Sequence, residues 1–415
     1  MLKIAFARYI NNFRGFSKEI WILTLMTFIN RAGTMVIPFL SKYLKEDLHF
    51  SYNQVGTIMV FFGIGSMLGS WLGGKLTDKI GFYKIMLFSL FTSGVAFFLI
   101  ERIKSFTGLC IGLFLIMTIA DMFRPAMFVS LNTYATNQTR TRALTLVRLA
   151  VNLGFALGPA LGGLIIMGLG YKGLFWIDGA TCILAILIFG WFVKDKPKDT
   201  ATNSATNSNT SNVQNSVFKD SPFWVFVGCC MIGSILFFQL FSTIPLYHKE
   251  QFHLNEFQSG LLLMLNGLLI FFLEMPIVSY VERKQINKVK MVILGTLAMT
   301  LGIFIMVIDS WVGILIVMML FMTFGEIFIF PFSNSLAMAR APKGHEGRYM
   351  AIFTMSFSAA HILSAKMGMS IIEYFKKDAL WKYNANWIFM GFLGIVAIYL
   401  GYRTYQLTEK EKIAH

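Results

Sequence analysis

Charge is scarce in this chain: Asp, Glu, Lys and Arg make up 14% of its 415 residues, while 56% are hydrophobic. So few charges cannot cover a water-facing surface, which excludes an ordinary soluble globular protein. Cysteine is nearly absent. The four present (Cys110, Cys182, Cys229 and Cys230) lie in apolar stretches, give neither a disulfide framework nor zinc-ligand spacing, and read as packing residues. Strand-like alternation is missing, which argues against a membrane barrel. No nucleotide-binding loop, nucleophile–base set or metal-ligand spacing occurs. The chain is therefore expected to be no enzyme and no ATP-driven pump, and to carry no cofactor or metal. Residues 1–19 are basic without an apolar core, so no cleavable signal peptide is expected.

Apolar length is what the chain has in abundance. A helix needs roughly 20 apolar residues to cross the hydrocarbon layer. Twelve such stretches are read over 20–44, 51–74, 84–100, 106–133, 143–168, 172–193, 221–248, 257–281, 288–308, 311–339, 347–373 and 386–405. The fold class expected is an all-α membrane protein with 12 transmembrane helices. Orientation follows from the cations. With the amino terminus inside, 23 of the 36 lysines and arginines fall on inner segments. Only Lys42, Lys45, Arg102, Lys104, Lys172, Lys249, Lys376, Lys377 and Lys382 fall outside. Both termini are therefore expected in the cytoplasm. The net charge of +15 is mostly this bias and not a nucleic-acid patch, which needs cations gathered on one water-facing domain.

The chain also repeats itself. Pro38 and Pro245 are 207 residues apart, Pro125 and Pro331 are 206 apart, and Arg142 and Arg348 are 206 apart. Near-constant offsets predict two pseudo-symmetric six-helix bundles, over 20–193 and 221–405. A Ser/Asn/Thr-rich tract in 194–220 predicts a flexible cytoplasmic linker between them. Residues 1–19 and 406–415 are read as a cytoplasmic leading segment and tail.

Between spans 2 and 3 stands Gly74-Lys75-Leu76-Thr77-Asp78-Lys79-Ile80-Gly81-Phe82-Tyr83-Lys84. Glycines seven apart, with one acid and several lysines, resemble the G-x-L-x-D-[RK]-x-G-x-x-[RK] loop of the major facilitator superfamily of secondary transporters. Glu282-Arg283-Lys284 forms a degraded second copy. The resemblance implies a fold of two bundles and solute transport by alternating access. It also implies a cytoplasmic latch in which Gly74 and Gly81 permit turning and close approach. Asp78 would sit there at a helix amino end or against Arg142, flanked by Lys79 and Lys84.

Ionisable residues at membrane depth are costly and mark function by default. They are Arg31, Asp121, Arg124, Arg148, Asp178, Glu274, Glu326, His361 and Lys366. Apart from Asp178, which reads as structural, they belong to spans 1, 4, 5, 8, 10 and 11. In the facilitator fold these spans line the central cavity. Asp121 is expected to pair with Arg124, three residues on, or with Arg31, which would free Arg124 for a ligand. Glu326 is the first choice for a proton or substrate-amine site, since a carboxyl at mid-depth can take up and release a proton. Glu274 ranks second, and His361 has a suitable intrinsic titration range. Lys366 is expected to snorkel or pair.

Two further segments set the direction of transport. Gly154, Gly158, Pro159, Gly162 and Gly163 are similar to the G-x-x-x-G-P-x-x-G-G segment of the antiporter branch. Glycines four apart beside a proline give a bent, close-packed helix. Against this, Gly325-Glu326 to Pro331, with Arg124-Pro125 and Arg31, resembles proton-dependent oligopeptide transporters, although Thr27 and Asn30 replace two acids of that pattern. The expectation is proton-coupled export of small amphipathic organic compounds, including drugs, by a monomer in the cell inner or plasma membrane. The proton gradient would be its energy source. Proton-coupled uptake of di- and tripeptides is the alternative, and a non-transporting membrane receptor the remote one. The expected partners are a small-molecule substrate, protons and the lipid bilayer, with no nucleic acid.

Overall fold

The computed structural model describes residues 15–135, 140–195, 214–308, 311–342 and 346–414. Among them every regular element is helical. In chain order these are α1 (Lys18–Gly33), α2 (Val36–Lys42) with a π-helical turn Tyr43–Asp47, α3 (Tyr52–Ile80), α4 (Phe82–Ile100), α5 (Phe106–Ala120), α6 (Phe123–Tyr134) and α7 (Arg140–Phe192). There follow α8 (Gln214–Lys219), α9 (Ser221–Phe238), α10 (Ile244–Glu250), α11 (Glu256–Arg283), α12 (Lys288–Ile305), α13 (Ile314–Arg340), α14 (Glu346–Tyr374) and α15 (Trp381–Ala414). Ten helical stretches among the described residues are long and apolar enough to cross a bilayer. One of them, Leu146–Phe192, is two spans joined at Gly170, whose φ of 68° and ψ of −176° interrupt the helix. The helix α14 has spanning length but carries His361 and Lys366, so it is less apolar. Large side chains such as Trp71, Phe272, Phe392 and Trp191 stand exposed, as lipid-facing residues do.

Helix ends correct the sequence reading in several places. The stretch 74–84 is not a loop: α3 stays helical through Ile80, and the turn is Gly81 alone, with φ 96°. Lys75 lies over the Trp71 ring one turn back, and Leu76 packs on the core, so the helix runs past the apolar stretch. Gly74 is therefore helical and makes no turn, and among the described residues a Cβ there would meet nothing within 4 Å. Asp78 and Lys79 are exposed on the last turn of α3, and Lys84 on the first turn of α4. The side chain of Arg142 lies outside the described residues, as does most of the expected linker. In the second copy, Gln285 with φ 52° stands at the matching turn.

Three prolines of the apolar stretches stand at helix starts. Pro38, Pro125 and Pro245 fall in the first turns of α2, α6 and α10, where a missing N–H leaves no bond unmade. Pro159, Pro276 and Pro331 sit inside helices. The glycine ridge on α3 packs as its spacing predicts. Cβ atoms at Gly65 and Gly69 would overlap the carbonyl oxygens of Phe114 and Thr118 on α5, and one at Gly73 would lie 2.5 Å from the Met122 Cα.

The chain forms two compact units. The first takes Met1–Ile37, Ile64–Lys198 and Glu256–Leu268, and the second Pro38–Gly63, Asp199–Asn255 and Leu269–His415. The core of the first gathers Leu23, Met26, Met86, Phe123, Ala185 and Phe189, with Cys182 among them. The core of the second gathers Phe223, Phe226, Val281, Phe332 and Phe353, with Cys229 and Cys230. All four cysteines are free and buried, which is the packing role expected of them.

At one end of the second unit Asp220 caps α9, accepting from the Phe223 amide at 3.2 Å. It also accepts from Arg340 Nε at 2.9 Å and Nη2 at 2.8 Å, and from the Tyr349 hydroxyl at 3.0 Å. Arg340 reaches Glu411 on α15 as well, at 2.8 Å. Burial pushes the Asp220 carboxyl up, but Arg340, the Phe223 amide and Tyr349 outweigh it and hold the group below the usual carboxylate range. A depressed carboxyl stabilises the fold above its unfolded value and loses that contribution as pH falls through the folded one. Thermal stability should therefore decline below about pH 4. Asp220→Asn should melt lower than wild type at neutral pH and show a shallower acid decline, as pH-dependent melting curves can check.

Candidate functional site

In the first unit three ionisable groups gather around a helix break. The Pro125 ring cannot pass the carbonyl four residues before it, so the helix stops at Ala120 and restarts at Phe123. Asp121 occupies the turn, buried, and accepts a hydrogen bond from Ser66 on α3. Arg124 Nη2 stands 4.0 Å from Asp121 Oδ1, at the edge of ion pairing, with half of its side chain exposed. Arg31 on α1 is within electrostatic reach of both Arg124 and Asp121. Its guanidinium lies 5.5 Å from the centre of the Phe155 ring, and its Nε has no hydrogen-bond partner among the described residues. The structure thus brings Arg31, Asp121 and Arg124 together, with Ser66 the closer partner of the acid.

The glycine-proline segment of α7 packs on two neighbours. A Cβ at Gly154 would sit 2.6 Å from the Arg31 Cβ, and one at Gly158 would sit 3.1 Å from the Ala32 carbonyl oxygen. One at Gly163 would sit 2.6 Å from the Glu256 carbonyl oxygen, while Gly260 of α11 leaves room for the Pro159 carbonyl. Gly162 is buried beside them. Small residues here let α1 and the start of α11 approach backbone to backbone.

In the second unit Glu274 is buried on α11 and Glu326 is half-buried on α13. Phe330 follows Glu326 by one helical turn and so shares its face. It opens a run of ring contacts, to Phe237 at 4.9 Å and Phe357 at 5.5 Å. Phe237 touches Phe238 at 5.3 Å, and Phe238 lies 4.6 Å from the His361 imidazole. Phe62 meets that ring edge-on at 5.7 Å. The run gives an apolar surface with a carboxyl near one end and an imidazole near the other. Lys366 is paired, donating to Asn53 Oδ1 at 2.5 Å and Thr57 Oγ1 at 3.0 Å.

Two polar clusters escaped the sequence reading. Gln239 donates to Ser364 Oγ at 2.8 Å and carbonyl at 3.0 Å, and accepts from Thr243 and from Asn386 Nδ2 at 3.2 Å. These residues are neutral, so a search for charge passes over them. Glu250 accepts from the Tyr52 and Tyr383 hydroxyls at 2.7 Å each and pairs with Lys382. Its members fall at span ends far apart in sequence, and only the tyrosines beside them hinted at more than a loop.

Comparison with known proteins agrees with this architecture. The family model of the Major Facilitator Superfamily matches residues 20–365. A Na(+), Li(+), K(+)/H(+) antiporter of Planococcus maritimus is 21% identical, covering 94% of this chain and 96% of its own. Quinolone resistance protein NorA of Staphylococcus aureus (strain MRSA252) is 25% identical over 56% of this chain and 58% of its own. A crystal structure of a POT family transporter in complex with 5-aminolevulinic acid superposes with a TM-score of 0.78 at 16% identity, covering 96% of this chain and 97% of that one. The broken spans, the glycine-bearing helix pairs and the family match converge: this chain is a multi-pass membrane transporter of the major facilitator superfamily.

Proposed function

We propose that the chain exports small amphipathic organic compounds in exchange for protons, by alternating access. Protons supply the energy, no resident cofactor is needed, and a monomer in the plasma membrane with both termini in the cytoplasm does the work. The single observation that carries this reading is the aromatic run beside Glu326 and His361. A flat, lipophilic cation would stack on Phe330, Phe237 and Phe238, while a carboxyl on the same face as Phe330 would exchange its proton for the cationic group. The distant relatives named above include an antiporter and a drug-resistance protein, which supports the same direction. The test is transport in proteoliposomes under imposed pH gradients of both signs, with ethidium and a labelled dipeptide. Proton-driven ethidium exchange is the expected result. Dipeptide uptake driven by inward protons would replace the proposal with peptide import.

A further inference from the structure

Span 1 is broken at Gly33–Thr34–Met35, and the break is held from outside its own helix. Thr34 has φ −74° and ψ 67°, and the Met35 amide turns back to the Gly33 carbonyl at 2.7 Å, an inverse γ-turn. In an unbroken helix the amides of Met35 and Val36 would bond to the carbonyls four residues earlier. Here they donate to the carboxylate of Asp178 on α7, at 3.0 and 3.1 Å. Two lost helical bonds are thus replaced by one side chain that is itself buried.

The surrounding face of α7 fits the break. A Cβ at Gly33 would overlap Thr181, whose hydroxyl is fixed by donating to the Asp178 carbonyl at 3.0 Å. Asn30 Nδ2 meets Cys182 Sγ at 3.5 Å. Immediately beyond the joint, between Ile37 and Pro38, the chain passes from the first compact unit to the second. The matching break in span 7, Gln239–Phe241, lies 206 residues after Gly33 and is held differently, by the neutral Gln239 side chain against Ser364 and Asn386.

We propose that Asp178 is a positioning residue for transport: by clasping the Met35 and Val36 amides it holds span 1 in its broken form and sets the hinge on which the outer part of span 1 moves. Unclasped, the two amides regain the Arg31 and Ala32 carbonyls, the helix closes, and the stretch from Pro38 onward changes direction. This goes beyond the export reading and holds whichever solute is carried.

The test uses the full-length protein in nanodiscs, spin-labelled at Arg102→Cys and Lys377→Cys. Both positions are exposed, and the four native cysteines are buried. In Asp178→Leu, which accepts no hydrogen bond, the distance population dominant in wild type is expected to fall about tenfold, the effect of orphaning buried donors. Asp178→Asn keeps one acceptor oxygen and should fall between the two, a graded rescue that simple loss of folding would not give. Unchanged distances in both variants would overturn the clasp. This readout needs no transported solute, so a failed export assay leaves this test intact.

Discussion

Glu326→Gln is expected to abolish pH-gradient-driven ethidium movement while leaving counterflow of the same compound in place. Gln keeps the size and hydrogen-bonding reach of Glu but cannot release a proton. Half-buried on α13 and one turn from Phe330, residue 326 would still help shape the aromatic surface, so the solute would still bind and cross. With no titrating group the two fluxes lose their coupling, and the ratio of driven to undriven transport should fall to about one. Measuring both modes in the same proteoliposomes separates coupling from binding. Unchanged driven transport would remove Glu326 from the mechanism and pass the role to Glu274 or His361.

Gly69→Val should destabilise the first unit strongly. A Cβ there would overlap the Thr118 carbonyl oxygen and sit 2.9 Å from that of Met117, both backbone atoms of α5. No rotamer change relieves a clash with backbone, so α3 and α5 must separate. Overpacking of this kind costs about 1–3 kcal/mol or more. Melting followed by size-exclusion chromatography should show a clear drop in the transition temperature. Gly74→Ala is the matching control. Its Cβ meets nothing within 4 Å among the described residues, and Ala in a helix interior gains about 0.5–1 kcal/mol over Gly. A melt lowered as much by Gly74→Ala as by Gly69→Val would refute the packing account.

The contrast between those two glycines shows how far the sequence could be read. Both lie in patterns visible by eye, Gly69 in a ridge with Gly65 and Gly73, and Gly74 in a family signature. The ridge could be interpreted physically, because an interval of four places glycines on one helix face whatever lies opposite. The signature could not, because whether Gly74 turns the chain depends on where α3 stops. That is decided by Lys75 over Trp71 and Leu76 in the core. The aromatic run is a similar case. Its members were countable, but which phenylalanines meet His361 depends on how α3, α9 and α14 pack.

By itself the sequence determined that this protein is a helical membrane transporter, because hydrocarbon thickness, scarce charge and the superfamily loop are read along one dimension. It also identified the buried acids and bases, since an ionisable group at membrane depth stands out wherever it occurs. Only the tertiary structure decided what each of them touches: Ser66 for Asp121, a pair of backbone amides for Asp178, aromatic rings for His361. Such partners come from helices distant in the chain. Because backbone donors and neutral side chains carry no mark in composition, their meeting is fixed by packing alone.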